Sequence, residues 1–221
     1  MARKLVTTLL LGAMMALGVA SAQATVKFDS GPQTAPGSTQ VTDQYFAGQY
    51  FFVPSGETER TFTDVQLYLN AAVSGTMPTV KLYSGDTSAN VPTNLITTLS
   101  YSSKSSISPY DIYTYNANVT LTANTGYWIV MNGTSTETFQ WARTGDLAGV
   151  TGAWKPTTGT GFYNSAFANG AGATQWDTQY DNRLFKMTVN ATAVPEPSTY
   201  VLLTLALGAV GFARRKMNRK A

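Results

Sequence analysis

The chain has 221 residues, no cysteine and no histidine, and 15 basic against 12 acidic residues for a formal net charge of +3. The two zeros exclude a disulfide framework, a Cys or His zinc site, a Ser-His-Asp triad and a Cys-His dyad. Seven of the 15 basic residues sit at the extremities, leaving eight basic against eleven acidic residues between Thr25 and Val194. The middle is therefore mildly acidic, and nucleic acid is not an expected partner.

The N-terminus begins with a positive stretch at Arg3 and Lys4, continues as an apolar run over residues 5–19, and ends in the small residues Ala20, Ser21, Ala22 and Ala24. That order is a secretory signal peptide over residues 1–24, with Ala22 and Ala24 flanking Gln23 as the small-x-small cleavage site and signal peptidase as the partner. An uncleaved N-terminal anchor is the alternative, and the small residues argue against it.

From Thr25 to about residue 190 the apolar period is two, with β-branched and aromatic residues between turns of Gly, Pro, Asn and Ser. "FTDVQLYLN" places Phe62, Val65, Leu67 and Leu69 among the apolar positions, and "TVKLYS" sets Val80 and Leu82 on one face. Further strands are expected at residues 49–53, 95–101, 110–119, 127–132, 139–142, 161–167 and 183–189. Some nine strands without an amphipathic helix predict an all-β domain over residues 25–190, an antiparallel β-sandwich with jelly-roll-like topology. Residues 191–198, "ATAVPEPS", are expected to be a linker.

Four tryptophans are present. Trp128 and Trp141 fall in predicted strands and are expected in the core, where aromatics dominate. Trp154 and Trp176 fall in the Gly-rich stretch "GVTGAWKPTTGTGFYNSAFANGAGATQWDTQYDN" and are candidate glycan contacts, because a loop can present a flat aromatic face to a sugar ring. Glu57, Glu59, Glu137, Asp177 and Asp181 are the carboxylates from which a glycosidase pair would have to come. Residues 85–90 and 176–182 offer oxygen ligands in turns but lack an EF-hand or RTX spacing, so turn formation is the simpler account. No metal, cofactor or catalytic residue is expected.

After the linker, residues 199–213 are almost wholly apolar and reach about 22 Å as a helix, short of a hydrocarbon core of about 30 Å. The basic tail over residues 214–221, led by Arg214, Arg215 and Lys216, extends that reach by snorkelling and orients the tail towards the cytoplasm. A buried core helix is the alternative, but such a helix is seldom apolar all round and closed by a cluster of bases. A transmembrane helix over 199–213 is expected.

Val194-Pro195-Glu196-Pro197-Ser198, then a short apolar helix, then Arg214-Arg215-Lys216 resembles the PEP-CTERM sorting signal of Gram-negative bacteria. The resemblance implies that an exosortase recognises Pro195, Glu196 and Pro197 and that the helix and basic tail are a temporary membrane anchor. Two prolines suit this role, since they hold the segment extended outside the bilayer. "VKLYSGDTSANVPTNLITTLS", "LTANTGYWIVMNGTS", "FQWARTGD" and "DNRLFKMTV", in that order over residues 46–189, resemble bacterial extracellular choice-of-anchor domains, which are small β-sandwiches. Together the resemblances imply an exported, non-catalytic protein of the cell surface or an exopolysaccharide matrix, with a structural or adhesive role. The alternatives are a carbohydrate-binding module or glycan-active enzyme built on Trp154 and Trp176, and a permanently anchored surface protein.

Overall fold

The computed structural model describes residues 23–32, 38–70, 77–86, 91–107, 110–133, 138–144, 149–155, 165–169, 176–179 and 184–194; at Thr39, Asn70, Asp86, 165–169 and 176–179 the description is of the backbone. Among these residues the chain forms thirteen strands in two antiparallel sheets. The first sheet holds β1 (Thr25–Asp29), β2 (Ser38–Val41), β4 (Thr61–Asn70), β7 (Ser100–Ile107), β8 (Tyr110–Thr120), β10 (Phe139–Ala142) and β13 (Met187–Thr192). The second runs in the order β12 (Trp176–Gln179), β11 (Ser165–Asn169), β3 (Tyr45–Val53), β9 (Thr125–Asn132), β5 (Thr79–Asp86), β6 (Val91–Thr98). In the first sheet β4 is the hub, with β13 and then β1 on one side and β8 and then β7 on the other, while β10 and β2 continue the sheet beyond its Leu69 end.

One core lies between the sheets. Val65, Leu67 and Leu69 of β4, Tyr113 and Tyr115 of β8, and Met187, Val189 and Ala191 of β13 meet Phe51 and Val53 of β3, Val80 and Leu82 of β5, and Ile129 and Met131 of β9. This is the packing of a β-sandwich, in which each sheet turns one alternating face inward. Phe62 and Val65 are both fully buried although three residues apart. A bulge in β4 opposite β13, where Phe62 to Asp64 spans two residues against the single step from Ala191 to Asn190, restores the alternation.

At β3 and β9 the second sheet is buried on both faces. Phe46, Tyr50, Trp128 and Val130 form a separate cluster away from the main core, joined by the half-buried Phe52 and Tyr83. Trp128 meets Tyr50 edge-on at 5.3 Å, and Gly85 leaves room for the indole, since a Cβ there would stand 2.5 Å from its Nε1. Burial pushes the Tyr50 phenol up to about 12, so it stays neutral.

A strap over residues 149–155 closes the open side of the sandwich at β1. Asp29 and Thr151 exchange backbone hydrogen bonds at 3.0 and 2.9 Å, the Trp154 amide donates to Lys27 O at 2.8 Å, and the Phe52 amide donates to Trp154 O at 2.9 Å. Trp154 thus joins β1 of one sheet to β3 of the other, while its ring stacks on Phe51 at 5.5 Å and an interplanar angle of 9°. Gly152 has φ +99 and a Cβ there would collide with the Lys27 carbonyl, so the strap needs glycine at that point.

The expected strands at 49–53, 62–70, 79–84, 110–119, 127–132 and 139–142 correspond to β3, β4, β5, β8, β9 and β10. The run 95–101 is not one strand. It divides at Leu99, whose amide bonds to Val80 O, into β6 of one sheet and β7 of the other. The expected linker also starts too early: Ala191 and Thr192 belong to β13, Ala191 is fully buried, and the chain stays attached through Val194. Residues 1–22 and 195–221, which carry most of the expected signal peptide and the expected transmembrane helix, lie outside the described residues.

Replacing Trp154 separates two costs. Its indole Nε1 is buried with no hydrogen-bond partner among the described residues, so Trp154→Phe keeps the stack and removes an orphan donor. We expect Trp154→Ala to lower unfolding stability by about 3–5 kcal/mol and Trp154→Phe by less than half of that, measured as midpoint shifts in urea.

Candidate functional site

The termini of the domain meet at one pole. Thr25, the first residue of β1, stands opposite Ala191 near the end of β13. Thr192 stands opposite Thr61, Thr61 opposite Thr120, and Val53 opposite Thr125. The start of β1, the end of β13, the turn over residues 54–60 and the turn over 121–124 are therefore neighbours. The turns are knitted into the pole: the Leu121 amide donates to Arg60 O at 2.9 Å, and the Val194 amide donates to Thr58 O at 3.3 Å. The Tyr127 hydroxyl accepts from the Thr122 amide at 2.8 Å.

A small charge network lies beside the chain ends. Lys27 of β1 pairs with Glu59 at 2.5 Å and with Glu57 at 3.5 Å. The Thr25 hydroxyl donates to Glu59 at 2.6 Å, and the Glu59 amide donates to Glu57 at 2.9 Å. The Lys27 ammonium and then the Thr25 hydroxyl hold the Glu59 carboxyl below the usual carboxylate range. Both carboxylates are committed to one ammonium, an arrangement that braces the pole and leaves neither free as a general acid or base.

Trp128 and Trp141 are fully buried as expected. Trp141 stacks on Phe185 at 4.5 Å and its indole N–H donates to Lys186 O at 2.9 Å. The glycan reading of Trp154 is corrected: the ring is fully buried, because the strap that looked like a loop turns it inward onto Phe51. Trp176 lies in β12, opposite Ala168 of β11, not in a loop. The exposed large hydrophobics among the described residues are Val26, Leu95, Ile96, Tyr101 and Ile107, and Tyr101 leans on the rings of Tyr113 and Tyr115.

Of the remaining candidates, Ala24 is described, exposed and adjacent to β1, whereas Ala22, Pro195, Glu196, Pro197, Arg214, Arg215 and Lys216 lie outside the described residues. So do Glu137 and Asp181, while Asp177 lies on β12 opposite Phe167. Gly85 and Asp86 belong to β5 and residues 87–90 lie outside the description. Among the described residues no three or more Asp or Glu side chains are grouped to hold a metal ion. Sequence reasoning missed the Thr25, Lys27, Glu57, Glu59 network, whose members are 34 residues apart at the Thr25–Glu59 contact. The only signal was the dense charge of "GETER" beside the start of a strand.

The depressed Glu59 pKa makes the pole acid-sensitive. A carboxyl whose pKa is lower folded than unfolded stabilises the fold above the unfolded value and loses that contribution as pH falls through the folded one. The Glu59 side chain is 34% exposed, so screening keeps the gain to roughly 0.5–1 kcal/mol. Wild type should exceed Glu59→Gln in stability by that amount at neutral pH and converge with it below the ordinary value of 4.5; urea midpoints across the acid range measure this.

A comparison with curated proteins found no match for the chain. A comparison with protein families matched residues 193–220. The matched segment begins at Ala193, inside the described domain and one residue before the Val194–Thr58 hydrogen bond. The tail that leaves this pole of an all-β domain matches the family described as the PEP-CTERM protein-sorting motif.

Proposed function

We propose that this is an exported protein held briefly at the membrane by its C-terminal tail, processed there by an exosortase, and displayed at the cell surface as a non-catalytic β-sandwich. The observation that carries the reading is positional. The sorting motif follows directly on the last core strand, so an enzyme acting at Pro195, Glu196 and Pro197 removes the tail without disturbing the fold. Signal peptidase acts at the other end: Ala24 is exposed immediately before β1, and removing residues 1–24 leaves every described strand intact.

The role of the displayed domain is structural or adhesive, with an exopolysaccharide matrix as its setting. A dedicated sugar platform on Trp154 and Trp176 has lost its first member to the core. Glycoside hydrolysis through Glu57 and Glu59 is disfavoured because both are tied to Lys27.

Intact mass and terminal peptides of the protein from membrane, surface and medium fractions of its native host test this reading. The expected mature species starts at Thr25, ends near Pro197 and lacks residues 214–221. Recovery of those residues on the surface-exposed protein would instead make the tail a permanent anchor.

A further inference from the structure

We propose that, while the tail is attached, the domain sits pole-down on the bilayer, with the turns over residues 54–60 and 121–124 against the lipid headgroups. The inference rests on the reading of residues 199–213 as a membrane span and adds which face of the sandwich meets the lipid.

The chain length between fold and bilayer leaves little choice. Val194 is hydrogen-bonded to Thr58, and the apolar run begins at Thr199. Even fully extended, the path from Val194 to Thr199 covers at most about 18 Å. Headgroups take up about 5–8 Å of that distance. The remaining gap is about the width of one helix, so the domain cannot turn another surface towards the membrane. Before signal cleavage a second tether acts on the same pole, since β1 starts beside the end of β13.

The chemistry of the pole suits a lipid surface. Ser55, Gly56, Thr58, Thr122 and Asn124 are exposed and uncharged, offering hydroxyl and amide groups to phosphates. The carboxylates there, Glu57 and Glu59, share Lys27, and Arg60 lies in the same turn, so the described turns together with Lys27 present no net negative charge to the negative potential of anionic lipids. The Thr42-Asp43-Gln44 turn lies at the far end of the strands, beside the start of β3 and bonded to Gly133 beyond β9. Ten residues of β4 put it about 30 Å away.

The chain has no cysteine, so a single introduced thiol can be labelled uniquely. The unprocessed chain, made in cells without exosortase, would be reconstituted in phosphatidylethanolamine/phosphatidylglycerol vesicles carrying headgroup nitroxides. A fluorophore is placed at Ser55→Cys or at Gln44→Cys. Quenching at position 55 should exceed that at position 44 at least threefold, and twenty Gly/Ser residues inserted between Val194 and Pro195 should largely abolish the difference. Equal quenching in vesicle-bound protein overturns the seating while leaving the anchor intact. A difference that survives the spacer overturns the short tether as its cause. Failure of the protein to float with vesicles overturns the membrane-span reading and the seating with it.

Discussion

The pairing of β13 along both of its edges is the constraint on which the rest of the molecule depends. Its residues are opposed by β1 from Thr25 to Asp29 and by β4 from Thr61 to Leu67, and Met187, Val189 and Ala191 are fully buried between the sheets. A strand in that position is not a peripheral tail. It fixes where the chain leaves the domain and places the sorting motif a residue or two beyond the last core side chain. It also brings β1, and with it the exposed Ala24, to the same pole, so the two ends at which processing is proposed are neighbours in space.

With no cysteine to staple it, the fold rests on packing and hydrogen bonds between sheets. Two contacts carry the joining of the two layers. The Trp154 amide donates to the Lys27 carbonyl of β1 and its carbonyl accepts from the Phe52 amide of β3, while its ring stacks on Phe51. Gln49 of β3, almost fully buried, accepts from the Phe185 amide at 2.9 Å and donates to Tyr50 O at 3.1 Å. Within the first sheet, Ser30 exchanges hydrogen bonds with Met187 through its amide and its hydroxyl, holding the residue after β1 to the first residue of β13. Buried polar groups of this kind specify one alignment of the layers, because any slip leaves them unpaired.

The sequence made the fold class legible because period-two alternation is a local property. β4, β8, β9 and β10 each carry enough apolar residues on one face to declare themselves. β7 did not: "SYSSKSSI" is exposed at every position, and it is a strand only because β8 offers a ladder. β13 was placed too early because Asn190, Ala191 and Thr192 are short and polar or small, and only their pairing with Thr61, Phe62 and Asp64 shows them to be strand. The error over Trp154 has the same origin. A Gly-rich flank signals a turn, but not whether the turn folds over a sheet edge; here the positive φ of Gly152 serves to bring Trp154 inward. The sorting tail was readable because it is a linear motif needing no partner, whereas the Thr25, Lys27, Glu57, Glu59 network depends on contacts across β1 and the turn before β4.

The claim that β13 is an integral core strand, and that the sorting tail therefore begins directly on the folded domain, is tested most directly by native-state hydrogen exchange of the full chain. The amides of Thr188 to Ala191 should exchange only through global unfolding, with the same protection as Val65 to Leu69 of β4, and Val194 should retain measurable protection from its bond to Thr58. Rapid exchange of Thr188 to Val194 while β4 stays protected would show β13 peeling off as part of a flexible tail, and would contradict the account.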